Sequence, residues 1–285
     1  MKKRLLRVAA VAFVLTAGGS RAALGAPPEA GAREQAAAAP QQALTREQMA
    51  QFLLTAKVIG HKGISKGVTS PARLTLSDGT LTHDAAFSRV NEHKPIMQFP
   101  GGRTELDFVD SYKYTLAANE IAELLGIEDM FPVTVEREWD HDMGALSWWL
   151  DVKMDEGERL KQQLSAPDAE DWAKQQYTMR VFTQLVDDTD RNVGNILIDK
   201  DWKIYLIDFT RAFRRPHELR APQLLQRCDK NLLQHLRDLK VEDVKARISK
   251  WVPPREIESM MARRDALVAL YDKLIAERGE ARVLF

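Results

Sequence analysis

The alternation of apolar and polar residues changes character twice along the chain. Residues 56–90 read as strands, punctuated at Gly60, Gly63, Gly67, Pro71 and the pair Asp78-Gly79. Leu74, Leu76 and Leu81 flank that Asp-Gly pair, which predicts a hairpin. From Ser111 to Leu125 the spacing becomes helical, and Gly126 ends it. Phe131–Val135 and Ala145–Leu150 predict two further strands, Trp172–Leu185 a helix, and Asn195–Ile198 with Ile204–Ile207 a pair of short strands. The remainder to Phe285 is mostly helical. Upstream of all these, Thr45-Arg46-Glu47-Gln48 has the spacing of a capping box and opens a short helix through Leu54. A strand-rich part with one main helix, then a helical part, predicts an α+β fold of two lobes with a ligand cleft between them.

The first residues stand apart from this pattern. Met1 to Arg7 is basic, Val8 to Ala17 is an uncharged apolar run, and Ser20-Arg21-Ala22 supplies the small residues of a cleavage site. That order is a secretory signal over residues 1–22, with a cut after Ala26 as the alternative. The apolar run is too short to span a bilayer, so no stable membrane span is expected after cleavage. Residues 23–43 are rich in Ala, Pro, Gln and Gly and read as a disordered linker. The lobes are then expected over residues 44–150 and 151–285, in a periplasmic or extracellular protein.

Removing the signal changes the charge. The whole chain balances 41 basic against 41 acidic residues, and residues 1–22 hold five basic and no acidic ones, so the mature chain is near −5. A nucleic-acid partner, which would want a basic face, is not expected. The one cysteine, Cys228, can make no internal disulfide. It reads as a small buried apolar residue.

The chemistry is concentrated in Asp187-Asp188-Thr189-Asp190-Arg191-Asn192-Val193-Gly194-Asn195, with Leu206-Ile207-Asp208-Phe209-Thr210 following. A hairpin turning at Asp199-Lys200-Asp201 brings its two open ends together, so Asn195 and Asp208 fall side by side. One amide oxygen and one carboxylate can hold Mg²⁺, which takes few protein ligands beside phosphate oxygens. Asp190 lies five positions before Asn195. There a carboxylate can orient an acceptor hydroxyl, or, in a purely structural hairpin loop, cap a turn and pair with Arg191.

This stretch resembles the catalytic and metal-binding loops of protein-kinase-like enzymes, in which four residues separate the Asp from the Asn. Asp208-Phe209-Thr210 is similar to their Asp-Phe-Gly element, with Thr in place of Gly. The Asp-Arg-x-x-x-Asn form is closest to phosphatidylinositol 3- and 4-kinases, HipA-like kinases and secreted kinases of the Golgi and spore-coat type. The resemblance implies a two-lobed kinase fold, with Asp190 as catalytic base and Asn195 and Asp208 as metal ligands. It further implies ATP or another nucleotide with Mg or Mn, and a hydroxyl acceptor on protein, lipid or small molecule. A non-catalytic kinase fold that binds nucleotide, lipid headgroup or protein is the alternative, and an antibiotic-kinase-like phosphotransferase a more remote one.

The first half fits this scheme less regularly. Gly63 to Ser70, with Gly67 and Thr69, reads either as a phosphate-covering turn or as a plain β-turn. The third strand has Ser88-Arg89 where a phosphate-binding lysine is wanted, so Arg89 is one substitute. Lys113 and Glu120 share a helical face with Ala117, Ile121 and Leu124, and a Lys113–Glu120 arrangement reaching the cleft is the other. Trp148 and Trp149 are read as core packing or as the wall of a purine pocket. Arg211 to Arg215 is read as a receiver of an anionic substrate or as a solvated helix start, and Arg263-Arg264 as surface. The six histidines show no metal-ligand spacing, and no Gly-x-Ser-x-Gly or His-Glu-x-x-His motif occurs.

Overall fold

Thr45 opens the first element. Its hydroxyl accepts from the Gln48 amide while the Gln48 side chain accepts from the Thr45 amide, and α1 runs over Arg46–Thr55. The structure is a computed structural model that describes residues 44–63 and 71–285. The signal and linker expected over residues 1–43, and Gly67 and Thr69, lie outside the described residues.

Beyond α1 come β1 (Lys57–Gly63), β2 (Ala72–Ser77) and β3 (Thr82–Ser88), joined as antiparallel neighbours. The β2–β3 turn is built by Asp78, whose carboxylate accepts from the Thr80 and Leu81 amides, with Gly79 at φ +93°. Next, β4 (Asn91–Gln98) and β5 (Thr104–Ser111) form a separate two-stranded ribbon. The sequence pattern missed this ribbon. Its β4 strand carries Asn91, Glu92, His93, Lys94 and Pro95 and is exposed along nearly its whole length. It has no alternation to read, and Pro95 sits on an edge, where its missing N–H is harmless.

Helix α2 (Tyr112–Leu124) follows, capped by Ser111, and ends where Gly126 takes φ +67°. The strands β6 (Thr134–Trp139) and β7 (Asp142–Trp148) complete the sheet in the order β1-β2-β3-β7-β6. They sit a few residues away from the ranges expected from sequence, around a turn at Asp140 and His141, both of positive φ. The second lobe holds β8 (Met154–Asp155), α3 (Glu156–Lys161), α4 (Ala169–Leu185), β9 (Ile196–Ile198), β10 (Ile204–Leu206), α5 (Lys230–Asp238), α6 (Val241–Ile248), α7 (Pro254–Arg278) and α8 (Glu280–Val283). The α+β division into a β-rich part and a helical part therefore holds.

Two cores explain how the lobes meet. Phe52, Leu53, Leu74, Leu76, Ala85, Phe87 and Leu146 pack α1 onto one face of the sheet. The larger core joins α4, α5, α6 and α7, and α2 contributes Ala117, Ala118, Ile121 and Ala122 to it. On another side of α2, Tyr112 and Leu116 pack on Ala145 of the sheet. One helix thus links both lobes.

Cys228 is buried and free, in accord with its sequence reading. Arg263 is a correction. It is fully buried, not on the surface, and donates to the carbonyls of Leu185, Arg214 and Pro216. These carbonyls end α4 or lie in irregular chain, so no backbone partner reaches them. Burial lowers the Arg263 pKa to about 10.

Gly126 gives a stability test. A Cβ there would lie 2.7 Å from Cε1 of His235, whose ring bonds the Leu125 carbonyl at 2.7 Å. Gly126→Ala should therefore destabilise the protein by about 1–3 kcal/mol, from the strained φ and the displaced ring. Chemical denaturation reads this, and a change below about 0.5 kcal/mol would contradict it.

Candidate functional site

The site forms where the open end of the β9–β10 hairpin meets the loop after α4. Ile207 N donates to Asn195 O at 3.2 Å, which closes the hairpin end, and the Asn195 side-chain amide donates to Asp190 O at 3.2 Å. Its nitrogen is thereby engaged, and Oδ1 is the atom left for a cation. Asn192 turns the intervening chain, its carboxamide oxygen accepting from Gly194 N at 2.9 Å.

Arg191 ties these pieces together. It donates from Nε to Asp188 at 2.7 Å, to Asn195 O at 3.0 Å, to Ile207 O at 2.6 Å and to Asp208 O at 3.2 Å. Its guanidinium also lies 4.1 Å from the centroid of Phe209. Asp188 is buried beneath it and also accepts from the Asp190 amide at 3.1 Å. Burial pushes the Asp188 carboxyl up, and Arg191 opposes that shift. Asp190 is left exposed, and its carboxylate accepts no hydrogen bond from any described residue.

Asp208 sits at φ +58°, a left-handed conformation that Asp tolerates better than most residues. The Thr210 hydroxyl donates to its Oδ1 at 2.9 Å. The neighbouring Phe209 is buried against Phe131 and Phe182, and its amide donates to Thr115 Oγ1 on α2 at 3.2 Å. Ser111 N donates to Thr210 O at 2.9 Å, so the start of α2 is fixed to this turn. Asp110, the residue before that cap, has one carboxylate oxygen wholly buried and without a partner. Burial raises its pKa, the Thr210 hydroxyl nearby opposes that shift, and the Asp208 charge adds to it.

One guanidinium thus holds Asn195 and Asp208 together, and the Asn195 side-chain amide holds Asp190 beside them. The other sequence candidates fall elsewhere. Glu120 pairs with Arg247 of α6, which also takes Glu123. Lys113 shares the Glu120 side of α2, roughly 200° round from Thr115, the residue that reaches Phe209. It makes no ion pair among the described residues. The Lys113–Glu120 arrangement is therefore not formed. Arg89 is no substitute either, since it pairs with Asp142 at 2.7 Å on an exposed edge. Ser88, opposite Ala145, lies with Asp84 and Ala86 on the sheet face toward α2.

On the far side of Asp190, a cavity of about 570 Å³ opens between the β4–β5 ribbon and residues 211–220. Phe99, Tyr114 and Phe213 line it together with arginines. Those arginines are already answered: Arg211 and Arg214 donate to Glu105, and Arg215 bridges Asp107 and Glu256. The basic cluster in the sequence is therefore neither a solvated helix start nor a bare anion receiver. It anchors the ribbon to the second lobe. Arg191, Asp188, Thr115 and Asp110 escaped the sequence reading, although Asp188 and Arg191 stand at an i, i+3 spacing inside the stretch that carried the chemistry.

No known family matches the sequence, and no curated protein matches it at significance. Solved structures do. A hydra Fam20 crystallised with sugar superposes at a TM-score of 0.61 and 13% identity, covering 84% of this chain and 92% of its own. The Golgi casein kinase with Mn/ADP bound superposes at 0.56 and 15% identity, covering 84% and 78%. Among the described residues, no helix is long and apolar enough to cross a membrane. At such identities the likeness speaks for architecture. The chain has the two-lobed protein-kinase-like fold.

Proposed function

We propose that this protein is a metal-dependent phosphotransferase that moves the γ-phosphoryl group of a nucleotide to an acceptor hydroxyl. The observation that carries the reading is the convergence of the Asn195 and Asp208 backbones on Arg191, with Asp190 held beside them by the Asn195 side-chain amide and its carboxylate unpaired and facing solvent. In the reaction the acceptor oxygen bonds to phosphorus and the β–γ bridging P–O bond breaks. The acceptor proton passes to Asp190, and a nucleoside diphosphate leaves. Asp190 orients the hydroxyl, and the cavity beside it has room for the acceptor.

The donor set suits a hard cation. Asn195 and Asp208 would hold it, and the unpaired Asp110 oxygen is a third candidate, an anionic atom that lacks a donor. No group of three His, Cys, Asp or Glu side chains converges among the described residues. Few protein ligands fit Mg²⁺ or Mn²⁺, which retain water and phosphate oxygens. The bound ion would neutralise charge on the phosphates. We read residues 1–22 as an export signal, which places the protein outside the cytoplasm.

A second reading, a binding module without turnover, has one observation in its favour. Ser88, on the β3 face toward α2, carries no charge, and neither Lys113 nor Arg89 forms the Lys–Glu ion pair that an active kinase fold has between its third strand and its first-lobe helix.

Three outcomes are expected. Asp208→Ala should abolish Mn²⁺-dependent nucleotide binding measured by calorimetry while circular dichroism stays unchanged. Retained binding would remove Asp208 from the site. Asp110→Asn should weaken Mn²⁺ binding by about tenfold, on the scale of a lost charged ligand; an unchanged affinity makes Asp110 structural. Asp190→Asn should keep nucleotide affinity and lower labelled-phosphate transfer to protein, lipid or sugar acceptors by about 10²–10⁴-fold. Nucleotide binding by wild type with no transfer to any acceptor would favour the second reading.

A further inference from the structure

The sheet of the first lobe has two unlike faces. Leu74, Leu76, Ala85, Phe87 and Leu146 turn to α1. The register places Arg73 opposite Ala86, Thr75 opposite Asp84 and Ala86 opposite Ser147 on the other face. Ala145, two residues before Ser147, packs on Tyr112 and Leu116 of α2. Since α2 also belongs to the larger core, this second face is the one turned toward the cleft.

On that face Arg73 Nε donates to Asp84 Oδ2 at 2.6 Å, and Thr75 Oγ1 donates to Asp84 Oδ1 at 2.7 Å. The Arg73 guanidinium lies 4.1 Å from the ring centroid of Trp149. Trp149 follows β7 directly, where the chain crosses into the second lobe, and its amide donates to Asp84 O at 3.1 Å. The two charged side chains are only 29% and 23% exposed, so the pair is largely withdrawn from water. A nucleotide base is a flat disc that a cleft holds between apolar or aromatic surfaces. Here the aromatic surface at the crossover already bears a guanidinium.

We infer that Arg73, Asp84 and Trp149 determine the donor specificity of this cleft, by filling the place of the base. A phosphoryl donor is then held by its phosphates and cation, and its base is not discriminated. To stack on Trp149 a base must first part Arg73 from Asp84, leaving a partly buried carboxylate short of its strongest partner. One stacking contact does not offset that separation, because Arg73 already gains the same contact with the indole. Adenine, guanine, cytosine and uracil are therefore all excluded alike. The inference presupposes the donor cleft proposed above.

Calorimetry with the Mg²⁺ complexes of ATP, GTP, CTP, UTP and inorganic tripolyphosphate tests it on wild type, Arg73→Ala and Asp208→Ala. Wild type should bind all five within about threefold, and Arg73→Ala should raise the affinity ratio of ATP to tripolyphosphate by about tenfold or more, the size of one base stack. If Arg73→Ala loses its circular dichroism, Arg73→Gln keeps a hydrogen bond to Asp84 without the planar charge and takes its place. A wild-type preference for ATP over tripolyphosphate of about tenfold or more, abolished with all binding in Asp208→Ala, overturns the base-slot inference alone. An unchanged ratio in the Arg73 variants also overturns it. Binding of none of the five compounds removes the donor cleft and the inference together.

Discussion

Four hydrogen bonds from one side chain decide whether this site exists. The loop after α4 and the turn after β10 are irregular chain, and few regular hydrogen bonds join them beyond the one from Ile207 N to Asn195 O that closes the hairpin. Arg191 supplies the donors, reaching Asn195 O, Ile207 O and Asp208 O with one fork while Asp188 balances its charge from beneath. A guanidinium suits this task because it is planar, always charged and rich in fixed donors. Its pairing is buried, and such pairs add little net stability but fix geometry wherever either partner alone would be intolerable. That is the use made of it here. Asn195 and Asp208 keep their separation because the same atom group holds both backbones.

The same device recurs through the second lobe and beyond. Arg263 satisfies the carbonyls of Leu185, Arg214 and Pro216 from within α7, and Arg137 of β6 reaches the carbonyls of Leu53 and Ala56 at the end of α1. A chain with a single buried cysteine has no disulfide to pin its loops. Arginines from regular elements, inserted into irregular ones, take that part. The arrangement also explains the paired state of Arg211, Arg214 and Arg215. They hold the exposed β4–β5 ribbon, of which Phe108 is the buried apolar anchor, against the body of the protein.

This pattern sets what could be read from the sequence. Thr45, Asp78-Gly79 and Gly126 signal local events, a cap, a turn and a helix end, and each local signal corresponds to a local structure. The spacing of Asp190, Asn195 and Asp208 was legible for the same reason, since a hairpin converts sequence separation into neighbourhood. Failures came where the partner was distant. Lys113 and Glu120 share a helical face, but α2 is packed on several sides, so its apolar stripe is too broad to choose a direction. Only α6, more than a hundred residues on, reveals that this face meets Arg247. Arg263 carries no sequence mark distinguishing it from the exposed arginines of an amphipathic helix. Its burial is decided by three carbonyls elsewhere.

The two walls of the cleft are therefore built on unlike principles, and they need not change together. The second-lobe wall is fixed by Arg191, which holds backbone atoms, so the carboxylate of Asp208 and the amide oxygen of Asn195 remain open to a cation. The first-lobe wall is fixed by Arg73, which holds a side chain, Asp84, and lies on an aromatic ring. A clamp on backbone preserves chemistry at its edge. A clamp between side chains consumes the surface on which it lies. On the first wall Ser88 carries no charge, and the Arg73–Asp84 pair forms a closed polar cluster beside the crossover. The geometry of the second wall does not depend on the first, because no hydrogen bond of Arg191 reaches the five-stranded sheet. On the function proposed above, the second wall holds the half of the cleft that would handle phosphate oxygens and an acceptor, and the first wall covers the half that would meet a base.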